Sequence, residues 1–133
     1  MQSWSEKLNC AKPSQKKRLE KSIAGMSAGS LMYISTPLEI DEYIKKIPYG
    51  QSISVQQMRD DLAKKNGADC TCPLTTGIFL RIVAEAAFEN INSGTGSSPT
   101  PFWRAIDPKS SIAKKLSVDS ALVKQKRDEE SIA

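Results

Sequence analysis

Cys72-Pro73-Leu74-Thr75-Thr76-Gly77-Ile78-Phe79-Leu80-Arg81-Ile82-Val83-Ala84-Glu85-Ala86-Ala87 is the stretch whose period decides the fold of this 133-residue chain. Leu74, Ile78, Phe79, Ile82, Val83, Ala86, Ala87 and, beyond it, Ile91 recur at the spacing of one helical face. Pro73 suits a first turn, where its missing N–H leaves no bond unmade. The spacing predicts a helix over 74–91, mostly buried, as the central element. Arg81, Glu85 and Glu89 fall one turn apart on the opposite face. Arg81 and Glu85 are placed to pair at i,i+4, worth about 0.3 kcal/mol.

Upstream, two helices announce themselves by their caps. Thr36-Pro37-Leu38-Glu39 combines an N-cap threonine, a proline at the first helical position and a glutamate at the third. Leu38, Ile40, Tyr43, Ile44 and Ile47 continue as an apolar stripe, and Pro48 and Gly50 end it. This predicts a helix over 37–46. Ser54-Val55-Gln56-Gln57 repeats the device and predicts a helix over 55–65, with Val55, Met58, Leu62 and Ala63 facing inward and Gly67 as the stop. Residues 1–35 read as an irregular, flexible segment. It carries a basic cluster at Lys12, Lys16, Lys17, Arg18 and Lys21 and a small-residue linker around Gly25 and Gly29.

Downstream, residues 92–101 are Gly, Ser, Thr, Asn and Pro in the main and predict a loop. Phe102-Trp103-Arg104-Ala105-Ile106 reads as a short strand stopped at Asp107-Pro108. Weak helical patterns occupy 110–116 and 118–128, and 129–133 reads as a frayed tail. The partition expected is a flexible basic segment 1–35, one domain 36–128 and the tail. No βαβ alternation and no repeat are visible. The fold class expected is mainly α with a small β element: a helix-turn-helix or winged-helix core of three helices.

Composition narrows the function. The chain is 39% hydrophobic and 26% charged, as in globular proteins. No apolar run approaches the ~20 residues of a membrane span, and the N-terminus has no apolar core of the signal-peptide kind. A cytoplasmic location is expected. Histidine is absent, which excludes Ser-His-Asp and Cys-His catalysis and any zinc site that needs imidazole. The three cysteines, Cys10, Cys70 and Cys72, make no disulfide framework and a poor zinc site. No metal and no cofactor are expected. The net charge of +4 is uneven: residues 1–21 carry six basic and two acidic groups, 22–108 seven and nine, 109–133 six and four. The basic ends suit phosphate by counterion release, and equally suit a solvated tail.

Two stretches carry a resemblance. Gly50-Gln51-Ser52-Ile53-Ser54-Val55-Gln56-Gln57-Met58 resembles the segment that enters the helix-turn-helix of alkylguanine-DNA alkyltransferases. Pro101-Phe102-Trp103-Arg104-Ala105-Ile106 resembles that family's active-site motif, Pro-Cys-His-Arg-Val-Val/Ile. A closer set within the family, lacking the transferase cysteine, is similar through Thr36-Pro37-Leu38-Glu39, Cys72-Pro73-Leu74-Thr75-Thr76-Gly77-Ile78-Phe79 and Thr100-Pro101-Phe102-Trp103-Arg104. The similarity spans about residues 36–106. It implies a DNA-binding fold without transferase chemistry, because Phe102 stands at the nucleophile and Trp103 at the histidine. The family's base-stack arginine falls on Gly77 and its phosphate-rotating tyrosine on Val55, so base extrusion is not implied.

The candidate DNA contacts are Ser54, Thr75, Thr76, Arg81, Trp103 and Arg104. Hydroxyls at the start of a recognition helix meet phosphates, or they satisfy the helix start. Arg81 and Arg104 suit phosphate; Glu85 and Glu89 oppose this at Arg81, and a surface ion pair would equally occupy Arg104. Trp103 suits base stacking if exposed, or core packing if not. Cys72 sits at a helix N-terminus, where a thiolate is favoured, yet a capping or structural role accounts for it without catalysis. Three readings result: a non-catalytic module that binds double-stranded DNA, including damaged or distorted DNA; a protein-interaction module that kept the fold; and, last, a residual thiol enzyme.

Overall fold

Two helices begin at the hydroxyls that the sequence marks for them. In the computed structural model, which describes residues 4–9, 13–23, 25–93, 100–116 and 120–132, Thr36 Oγ1 accepts from Glu39 N at 3.1 Å and Ser54 Oγ from Gln57 N at 3.0 Å. The elements run α1 (Trp4–Asn9), β1 (Gln15–Arg18), β2 (Leu31–Ile34), α2 (Pro37–Lys45), α3 (Val55–Lys65), β3 (Cys70–Thr71), α4 (Pro73–Ser93), a 3-10 turn (Phe102–Arg104), α5 (Ser111–Lys115) and α6 (Ser120–Glu129). The fold is thus mixed, with six helices and one small sheet among the described residues. The cap partners look elsewhere than back to their caps. Glu39 accepts from Tyr33 Oη at 2.6 Å, and Gln57 Nε2 donates to Asp61.

The sheet has the order β1-β2-β3. β1 runs antiparallel to β2, while β2 and β3 are parallel, in register Met32 with Cys70 and Tyr33 with Thr71. A parallel pair needs a crossover, and α2 and α3 supply it. α4 then leaves the end of β3 directly and packs against α2, with α1 along its side. Ile40, Ile44, Met58, Leu62, Leu80, Val83 and Phe102 are essentially sealed from solvent and form the core. Each contributes about 1.5–3 kcal/mol by leaving water. No helix among the described residues is long and apolar enough to cross a membrane.

Three expectations are corrected. Much of residues 1–35 is ordered. β1 is Gln-Lys-Lys-Arg, exposed at every position, so it lacks the alternation that marks a strand; its order comes from pairing with β2. Lys16, Lys17 and Arg18 lie in that strand and Lys21 is exposed, while Lys12 lies outside the described residues. The expected strand at 102–106 is a 3-10 turn, closed by Arg104 N to Pro101 O and Ala105 N to Phe102 O. Phe102 and Trp103 therefore both face inward and meet edge to face, 5.3 Å between centroids. The expected frayed tail is docked through 132, with Glu130 and Ile132 each 7% exposed. α4 also runs two residues beyond the predicted 91, to Ser93. Of the expected loop, 94–99 lie outside the described residues. α5 and α6 fall within a residue or two of the predicted 110–116 and 118–128, as helix ends commonly do.

Candidate functional site

Helix α4 does not bury its whole apolar stripe. Leu80, Val83, Ala84 and Ala87 are in the core, but Leu74 is 72% and Ile78 51% exposed. One turn of α4 separates these two side chains, so they share a face. Gly77 sits between them. A Cβ built there would meet nothing within 4 Å. Glycine inside a helix costs roughly 0.5–1 kcal/mol relative to alanine, and among the described residues nothing fills the space that it leaves.

That face floors a groove of about 480 Å³. Leu74, Gly77, Ile78 and Ile82 come from α4, Ile112 from α5 and Trp4 from α1. Lys7, Arg81 and Lys115 line it as well, and among the described residues no carboxylate does. Arg81 and Lys7 both lie over the Trp4 ring, at 5.3 and 4.2 Å from its centroid. Arg81 therefore braces α1 against α4 instead of standing free for phosphate, and its Nε is buried without a hydrogen-bond partner. The lining thus combines apolar side chains with three cationic ones.

The six residues proposed from sequence fall in different settings. Ser54 is exposed, with its hydroxyl committed to the α3 cap. Thr75 is partly buried. Thr76 is 0% exposed and donates to Cys72 O at 2.6 Å, which removes it from any contact surface. Trp103 is 8% exposed and donates Nε1–H to Glu130 at 2.7 Å, so its ring is not offered to a base. Arg104 donates to Glu130 at 2.8 and 3.0 Å and to Ile47 O at 2.9 Å. Arg81 lines the α4 groove, Trp103 and Arg104 a second cavity, and Ser54 a third.

Glu130 organises the second cavity. It accepts from Trp103 and Arg104 and, through Oε1, from Gly50 N at 2.9 Å. Burial pushes its carboxyl up, but the Arg104 guanidinium and the Gly50 and Trp103 N–H groups outweigh that and hold it at about 2. Arg127 Nη1 adds a bond to Trp103 O at 2.9 Å. This is a structural clamp on the 3-10 turn.

Cys72 closes the start of α4 through its carbonyl, and the Cys70 thiol is pushed up, chiefly by burial and then by Asp69. A thiol pushed up in this way holds less thiolate, which disfavours Cys70 as a nucleophile. Among the described residues no group of three or more His, Cys, Asp and Glu side chains could hold a metal ion. Sequence reasoning missed the groove because periodicity counted Leu74 and Ile78 as core; the glycine between them was the available signal. Comparison with known proteins found no match: no family model, no curated protein and no solved structure.

Proposed function

We propose that this chain is a non-catalytic protein-interaction module that receives an amphipathic segment in the α4 groove. The observation that carries the reading is the pair Leu74 and Ile78, exposed beside an open Gly77 in a groove that Lys7, Arg81 and Lys115 also line. Burying each aliphatic side chain is worth about 1.5–3 kcal/mol, a gain the isolated fold leaves unrealised. An apolar groove of this form takes a helix through anchors at i, i+3, i+4 and i+7. The cations select carboxylates beside those anchors and reject a basic partner. No chemical step belongs to this reading; Phe102 and Trp103 are core residues and histidine is absent from the chain.

Fluorescence anisotropy tests it with two labelled helical peptides of equal apolar pattern, one acidic and one basic on the flanks. The acidic peptide binds the wild-type chain and the basic one does not. Leu74→Lys with Ile78→Lys abolishes binding while the circular dichroism is unchanged. Equal binding by the double variant counts against the groove.

A second reading, DNA binding by a winged-helix core, draws support from two features. The alkyltransferase resemblance spans α2 to the 3-10 turn, and β1 presents Lys16, Lys17 and Arg18 on an exposed edge. The face of α4 suits it poorly. Base readout uses hydrogen-bonding side chains, and Leu74 and Ile78 offer none. Duplex titrations at two salt concentrations separate the readings, because DNA binding weakens steeply with salt.

A further inference from the structure

The sheet has two faces, and they are built differently. Tyr33 and Thr71, 3% and 1% exposed, point into the main core. Strand alternation sends Met32, Ile34, Cys70 and Cys72 to the other face. There they pack with Leu19 and Met26 in a second cluster. Met32 is the register partner of Cys70. Cys72 follows β3 yet stays in the ladder, with its N–H donating to Tyr33 O at 2.9 Å. The turn at Gly25, φ +83°, carries Met26 over the sheet. Four of these six side chains contain sulfur. Among the described residues, the one other sulfur side chain is Met58, in the main core.

Neither thiol is in a disulfide, and Cys70 Sγ–H donates to Leu31 O at 3.9 Å. Two residues of strand set the Cα atoms about 6.6 Å apart, with side chains directed the same way. A disulfide draws the Cβ atoms to about 3.8 Å. A metal ion needs no such approach, since two metal–sulfur bonds of about 2.3 Å bridge a wider gap.

We propose that Cys70 and Cys72, with the thioethers of Met26 and Met32, form a binding site for copper(I). Thiolates and thioethers are soft donors and select this ion. Zinc(II) is disfavoured because two of the four donors are thioethers and no imidazole is present in the chain. Of the four donors Met26 and Cys70 line an open cavity of about 400 Å³ and Met32 and Cys72 do not, so an ion enters on the side of the first pair. Asp60 and Asp69 on that cavity attract a cation, and Arg59 opposes them. On binding, the thiols release their protons to solvent and the copper keeps its oxidation state.

The test uses the full, reduced chain without oxygen, with copper(I) supplied as its bicinchoninate complex. The chain withdraws a single copper, and a thiolate-to-copper band rises in the near ultraviolet. Cys70→Ala with Cys72→Ala abolishes the transfer. Met26→Leu with Met32→Leu, which conserves volume, keeps the circular dichroism and weakens binding roughly tenfold or more. Cys10→Ser leaves binding intact. No transfer to the wild-type chain overturns the site, as does equal affinity in the double-alanine or double-leucine variant.

Discussion

Arg104 and Glu130 stand 26 residues apart in the chain and close to 2.8 Å, with side chains only 13% and 5% exposed. This pair fastens the end of α6 to the 3-10 turn. Glu130 also satisfies the indole of Trp103 and the backbone N–H of Gly50. Removing one partner of a buried pair leaves a desolvated charge, at a cost of about 3–5 kcal/mol. Glu130→Ala should lower unfolding stability by that order in urea denaturation. A loss below about 1 kcal/mol would show that the clamp does not hold the turn.

The same carboxylate sets an acid limit. Its folded pKa of about 2 lies below its ordinary value of 4.5. The stabilisation is therefore present above pH 4.5 and lost as pH falls towards 2. Its size is on the order of 3 kcal/mol. Stability measured between pH 5 and 2 should fall steeply in the wild type. In Glu130→Gln the slope should be shallower by about one proton.

Thr76 reports on the opening of α4. Its hydroxyl is sealed and bonded to Cys72 O. Thr76→Val should cost about 1 kcal/mol in stability and leave every binding measurement unchanged. A change in affinity for peptide or duplex without a change in stability would return Thr76 to the contact surface.

Two glycines should answer in opposite directions. Gly50 has φ +81°, and a Cβ there would stand 3.4 Å from Glu130 O. Gly50→Ala should destabilise by about 1–2 kcal/mol. Gly77 is helical and open. Gly77→Ala should stabilise by about 0.5–1 kcal/mol, while Gly77→Leu should fill the groove and block the peptide. Thermal unfolding and anisotropy together read both effects.

Helices α2 and α3 were legible from Thr36 and Ser54, because a cap is a local device that tertiary contacts did not override. α4 was legible as a helix but not in its orientation. A helix with apolar residues on several faces gives no sign of which edge meets solvent, so Leu74 and Ile78 read as core and Glu85 as surface, although Glu85 is 1% exposed. β1 was invisible because its side chains all lie in water and only its pairing with Leu31–Ile34 makes it a strand. Phe102-Trp103 read as strand by residue type; Pro101 and the Glu130 clamp bend it into a turn instead. The clamp and the sulfur cluster each join residues from distant parts of the sequence, and no short-range pattern encodes such meetings.

The most direct measurement of the docking claim is an amide nitrogen–proton spectrum of the chain, titrated separately with the acidic amphipathic peptide and with a duplex. Docking predicts that the peptide shifts the amides of Leu74, Gly77, Ile78, Arg81 and Lys115 and that the duplex leaves them in place. Shifts there with the duplex alone would contradict it.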